Sequence, residues 1–153
     1  MYQTQFIFLG ILFDRKLTFQ PHISQLRVRC EKSLNILKVL SNTTWGSDRT
    51  CMLRLYRALI RSKIDYGSIV YGSARTTVLK KLNTIHHTAL RLCSGAFRTS
   101  PVLSLYVDCN EPSLDLRRQL LSLQYHFKIS SLPHHPLHSI KCSPFLHRLY
   151  CAK

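Results

Sequence analysis

The sequence predicts a mainly α fold: a helical bundle of about four helices preceded by a short β-strand or hairpin. Three observations predict it. Apolar residues recur three or four positions apart through long stretches between Pro21 and Phe127, the period of a helix with one buried face. The run Phe6 to Phe13 is instead aromatic and β-branched around a single Gly, which is strand composition. Hydrophobic residues make up 45% of the 153, enough to build a core in a chain of one-domain length.

Taken in order, FIFLGILF at Phe6–Phe13 is expected to be a buried strand interrupted at Gly10, a position open to close backbone approach. DRKLTFQPHI then turns and enters a helix, with Pro21 in the first turn where its missing N–H is harmless. That helix runs to about Ser41. Ile23, Leu26, Cys30, Leu34, Leu37 and Leu40 form its core stripe, and Arg27, Arg29, Lys32 and Lys38 lie off it.

SNTTWGSD reads as a loop, with Ser47 or Asp48 as the next N-cap and Trp45 wedged between helices. The second helix turns Met52, Leu55, Tyr56, Leu59 and Ile60 inward. Arg54, Arg57 and Arg61 fall together on another side, at i, i+3 and i+7. An aromatic link, GSIVYGSARTT, leads to a third helix capped by Thr76 or Thr77 and ended by Gly95. Its stripe is Val78, Leu82, Ile85, Ala89 and Leu92. AFRTSPVLSLYVDCNEP is expected to be an extended crossing. A fourth helix starts near Pro112, with Leu116, Leu120, Leu123 and Phe127 inside and Arg117 and Arg118 to one side. The expected division is a strand segment over 1–20, a helical domain over 21–128, and a flexible Pro/His-rich linker over 129–153.

Lys and Arg total 22 against 7 Asp and Glu, a formal charge of +15 and a pI near 10. Such an excess predicts a polyanionic partner, nucleic acid first. A merely solubilising surface mixes both signs, and acidic residues at i±4 are nearly absent here. Arg54, Arg57, Arg61, Lys80, Lys81 and Arg91 are the expected phosphate contacts, since each cation placed on a phosphate releases a condensed counterion.

Other chemistry is faint. The 7 carboxylates are scattered, with no pair suited to holding the two metals of polymerase or nuclease chemistry. No Walker-type loop or GxGxxG is present. No catalytic residue and no cofactor are therefore assigned. The 6 Cys include no CxxC, and Cys30, Cys51 and Cys93 read as buried thiols inside helices. Without a secretory signal or an apolar run long enough to span a bilayer, the expectation is an intracellular protein, nuclear or cytoplasmic, with no membrane partner. In the tail His138, Cys142, His147 and Cys151 give H-x3-C-x4-H-x3-C, zinc-competent ligand types whose commoner reading is a histidine-rich connector.

Three segments carry a resemblance. FLGILFDRKLTFQPHI at Phe8–Ile23, LYRALIRSKIDYGSIVYGSA at Leu55–Ala74, and HHTALRLCSGAFRTSPVLSLYVDCNEPSLDLRR at His86–Arg118 resemble non-LTR retrotransposon reverse transcriptases of the jockey-like group, on the carboxyl side of the palm. The similarity runs from about Phe6 to Tyr125, and GAFRTSP with NEPSLDLRR is its most distinctive part. It implies that Phe8, Leu9 and Gly10 correspond to the primer-grip hairpin. The helices after it would be the thumb, which holds the RNA/DNA template–primer duplex. The Pro-rich stretch would lead toward a ribonuclease H domain.

The fingers, the palm and their catalytic aspartates are missing from this sequence, and Mg2+ would belong to that missing palm. The resemblance thus implies a fragment of an RNA-directed DNA polymerase that grips nucleic acid and is inactive alone. Its partners would be the duplex and the missing fingers-palm portion of the same polyprotein. The alternatives are a helical protein-interaction module and a non-functional remnant of a mobile element.

Overall fold

A computed structural model describes residues 5–42 and 46–137. The strand-like run folds back on itself. β1 (Gln5–Phe8) pairs antiparallel with β2 (Ile11–Asp14), in the register Phe6↔Phe13 and Phe8↔Ile11. Leu9 and Gly10 make the turn, both with positive φ, 47° and 78°. A two-residue turn of that hand matches the right-handed strand twist, so a Gly here closes a hairpin instead of interrupting one strand. Burial follows the same division: Ile11 and Leu12 are buried, whereas all of β1 is exposed. The expected buried strand is thus only half right.

Asp14 ties the hairpin to the first helix. Its carboxylate accepts from the Thr18 hydroxyl at 2.8 Å and from the Phe19 N–H at 2.8 Å. α1 (Gln20–Leu40) follows, with Pro21 in its first turn. Ile23, Leu26, Cys30, Leu34 and Leu37 are buried as the stripe requires, and Leu40 is half-buried.

The next helix, α2, covers residues 49–65. Asp48 caps it by accepting from the Thr50 N–H at 3.1 Å. It is α-helical over Arg49–Tyr56, π-helical over Arg57–Arg61 and α-helical again over Ser62–Asp65. In the π segment the Ser62 N–H donates to the Arg57 carbonyl, five residues back. One residue is thereby looped into the helix, which turns the side chains after it away from the positions an α-helix would give.

The aromatic link is not a plain link. Gly67, at φ 67°, admits a one-turn helix, α3 (Ser68–Tyr71). Buried Tyr71 donates to the Ile64 carbonyl, pinning α3 to the end of α2. α4 (Thr76–Ser94) starts after Arg75 with no side-chain cap, so neither Thr76 nor Thr77 caps it, and Gly95 ends it at φ 68°. Of its expected stripe Leu82, Ile85 and Ala89 are buried while Val78 and Leu92 are half-buried, and it also buries Leu79, His86, Leu90 and Cys93.

The segment expected to be extended contains α5 (Val102–Cys109), which buries Leu105 and Cys109. Pro101 before it and left-handed Asn110 after it are ordinary helix-end signals. They were legible, but two turns offered too short a period to read. α6 (Leu114–Ser130) is the sixth helix among the described residues, against about four expected.

Residues through Arg118 form one unit and those from Gln119 a second. In the first unit α4 packs on α1, α2 and α5 around buried Ile23, Leu37, Tyr56, Ile60, Leu82 and Leu90. Burying each such side chain contributes roughly 1.5–3 kcal/mol.

Two expectations fail in α6. Leu116, Leu120, Leu123 and Phe127 are exposed, Phe127 by 67%, whereas Arg118 is buried. Helical period shows which residues share a face, not whether anything covers that face. Cys51 is likewise exposed, although Cys30 and Cys93 are buried. Trp45 lies outside the described residues. No helix among the described residues is long and apolar enough to cross a membrane.

Candidate nucleic-acid interface

The structure divides the six expected phosphate contacts. Arg54 and Lys80 are exposed and Lys81 is half-buried, and none has a carboxylate within ion-pairing distance among the described residues. Arg57 and Arg61 are engaged elsewhere. Arg57 Nε donates to Glu111 at 2.6 Å, and Arg61 Nη1 reaches both Glu111 oxygens at 3.0 and 2.7 Å. The Glu111 side chain is only 1% exposed, so its charge is matched inside the protein.

Arg61 also faces Asp65 at 3.6 Å, and Asp65 in turn accepts from Arg117 at 2.9 Å. A clasp of three arginines and two carboxylates therefore joins the π segment of α2 to the Asn110–Arg118 stretch. Glu111, Asp65 and Arg117 were missed as members. Their separations of 50 to 54 residues carry no local pattern, and only the basic pair at Arg117 and Arg118 was visible. Arg91, the sixth expected contact, is half-buried and donates to the Ser100 carbonyl at 3.2 Å.

At the hairpin, Phe8 and Leu9 are exposed, Leu9 by 72%. The Tyr66 hydroxyl donates to the Leu9 carbonyl at 2.7 Å and fastens the turn to the residue following α2. The Leu12 N–H donates to His22 Nδ1 at 3.3 Å, which holds β2 on α1. An apolar tip in left-handed backbone costs of order 1 kcal/mol, so its neighbours must hold it. Tyr66 and His22, neither assigned from sequence, are those neighbours.

A second polar group sits inside the core. Tyr56 and His86 Nδ1 are 2.6 Å apart, and His87 Nε2 meets the Tyr106 hydroxyl at 2.7 Å. Burial first, then His87, pushes the His86 pKa down to about 3, opposed by a bond to the Pro112 backbone. His86 is therefore neutral at ordinary pH and shares a hydrogen bond with the Tyr56 hydroxyl.

Asp14 and Asp48 cap turns, Glu31, Asp65, Glu111 and Asp115 pair with arginines, and no three His, Cys, Asp or Glu among the described residues lie grouped so as to hold a metal ion. His138, Cys142, His147 and Cys151 lie outside the described residues.

No family model matches the chain, and no solved structure does. Curated relatives do. The chain is 27% identical over 133 residues to the RNA-directed DNA polymerase from mobile element jockey of Drosophila funebris, covering 84% of this chain and 14% of that protein. It is 26% identical over 126 residues to the Drosophila melanogaster protein of the same description, covering 82% and 14%. It is 26% identical over 88 residues to the probable RNA-directed DNA polymerase from transposon X-element of Drosophila melanogaster, covering 58% and 10%. The chain thus spans about one seventh or less of the length of these relatives. By sequence, it is a homologue of the RNA-directed DNA polymerases of jockey-like non-LTR retrotransposons.

Proposed function

We propose that the chain is a thumb-region piece of a retrotransposon RNA-directed DNA polymerase and grips template–primer nucleic acid through phosphates and shape, with no catalytic group of its own. The supporting observation is how its charges are distributed. The carboxylates that form ion pairs take Arg27, Arg57, Arg61, Arg117 and Arg118 and no lysine, which leaves Arg54, Lys80 and Lys81 without a negative partner among the described residues. Unpaired cations on helices track phosphates without reading bases. Phe8, Leu9 and Gly10 form an exposed apolar tip suited to pressing on a primer end.

Arg57 and Arg61 act through Glu111 in this reading, not on phosphate. With Arg54, Lys80, Lys81 and Arg91 remaining, log affinity for a duplex should fall against log salt with a slope of about −3.5. A binding curve indifferent to salt would sink the proposal.

The bare apolar faces favour a second element of the same reading. Leu116, Leu120, Leu123 and Phe127 on α6 and Phe6 and Ile7 on β1 would be covered by the fingers-palm portion of the polyprotein. Co-expression of a jockey-type fingers-palm segment should raise the solubility of this chain, and changing Leu123 and Phe127 to Ser should do so without it.

A further inference from the structure

An open cavity of ≈ 740 Å³ lies between the end of α1 and the last turns of α4. Ser41, Thr84, His87, Arg91, Leu92 and Arg98 line it, and no carboxylate is among its described lining residues. Two guanidinium groups, an imidazole and several hydroxyls therefore share one concavity, while Leu92 and Ala96 add an apolar patch.

The polar groups are held in place. Arg91 Nη2 donates to the Ser100 carbonyl at 3.2 Å, and its Nε is buried with no hydrogen-bond partner among the described residues. The His87 ring is fixed by the Tyr106 hydroxyl at 2.7 Å. Burial, then the Arg91 charge, lowers its pKa, so it meets a ligand as a neutral ring. Gly95 has no atom within 4 Å of where a Cβ would stand, which leaves that part of the rim open.

One effect opposes an anion here. The cavity lies at the carboxyl end of α4, whose dipole is negative. It is blunted because the N–H groups of Gly95 and Ala96 already bond to the Arg91 carbonyl. Two guanidinium groups offering charge-assisted bonds outweigh what is left.

The volume is that of a small-molecule site, about the size that takes a single nucleotide. We propose that this cavity receives one nucleotide unit of a polynucleotide strand, with the phosphate on Arg91, Arg98 and the Thr84 hydroxyl and the sugar or base on Leu92 and Ala96. This rests on the nucleic-acid-gripping reading and gives it a definite place. Arg98 and Thr84 are both exposed, and neither side chain makes a described bond within the protein, so both can be changed without disturbing the fold.

The test uses the full chain, a short fluorescent duplex and a nucleoside monophosphate. Arg98→Ala should weaken duplex binding roughly tenfold to a hundredfold, the range of one charge-assisted bond. Thr84→Glu, which puts a carboxylate into the cavity, should weaken it further. The nucleoside monophosphate should shift the His87 imidazole NMR signals in the unmodified chain and not in Thr84→Glu. If the chain binds duplex with the expected salt dependence, yet both variants bind equally well and His87 does not respond, the cavity assignment falls and the gripping reading stands. If no duplex binds at all, both fall. A glutamate-rich peptide that moves His87 as strongly as the nucleotide would overturn the assignment in favour of an acidic protein partner.

Discussion

Arg61 holds both carboxylate oxygens of Glu111, at 2.7 and 3.0 Å, across fifty residues of chain. Arg57 adds a bond of 2.6 Å to the same carboxylate. Glu111 is buried and Arg61 is only 20% exposed, so this is not a solvent-screened surface pair. Glu111→Ala should therefore cost about 3 kcal/mol of stability, the lower part of the range for breaking a buried pair, because Arg57 still reaches water. Urea unfolding at neutral pH checks it. A loss under about 0.5 kcal/mol would place the clasp among ordinary surface ion pairs.

Acid should unfold the protein through His86. Its folded pKa of about 3 lies below the unfolded value of 6.5, so the unfolded chain binds the proton more readily. Stability is complete above the unfolded value and falls as pH drops from 6.5 toward 3. Between neutral pH and pH 5 the loss should be about 2 kcal/mol. His22 and His87 are shifted in the same direction and add to it. His86→Asn should remove most of the pH dependence in unfolding curves taken across that range. An unchanged slope would show that another group carries it.

Gly67→Ala should destabilise by about 2–3 kcal/mol, from two causes that can be separated. The backbone sits at φ 67°, and an added Cβ would lie 2.5 Å from Ile11 Cδ1. Ile11→Val removes that δ-methyl. In the double variant most of the steric part should be recovered, Ile11 Cγ1 still standing 3.1 Å from the added Cβ, and the backbone part, of order 1 kcal/mol, should stay. Full recovery would mean that the left-handed conformation costs nothing here.

Much of the fold could be read along the chain. The stripe of α1 is buried where its spacing places it, Asp48 caps α2, and Gly95 ends α4. These features depend on neighbours within one or two helical turns. What could not be read depends on distance in space. Nothing near Arg57 or Arg61 forecasts Glu111, and nothing within α6 says that Leu123 and Phe127 would be left bare. The π segment also escaped, because one extra looped residue leaves the apolar pattern intact at Tyr56, Ile60 and Ile64. The cavity at the end of α4 collects Ser41, Thr84, His87, Arg91 and Arg98 from separate stretches, and only Arg91 had been singled out as a phosphate contact.

Residue order alone settles the phase of the long helices and the surplus of positive charge, since each comes from local sterics or from counting. Which cations remain available is settled by folding. Ion pairing acts over a few ångströms, and only the folded chain brings Glu111 to Arg57 and Arg61 while leaving Arg54 and Lys80 in solvent.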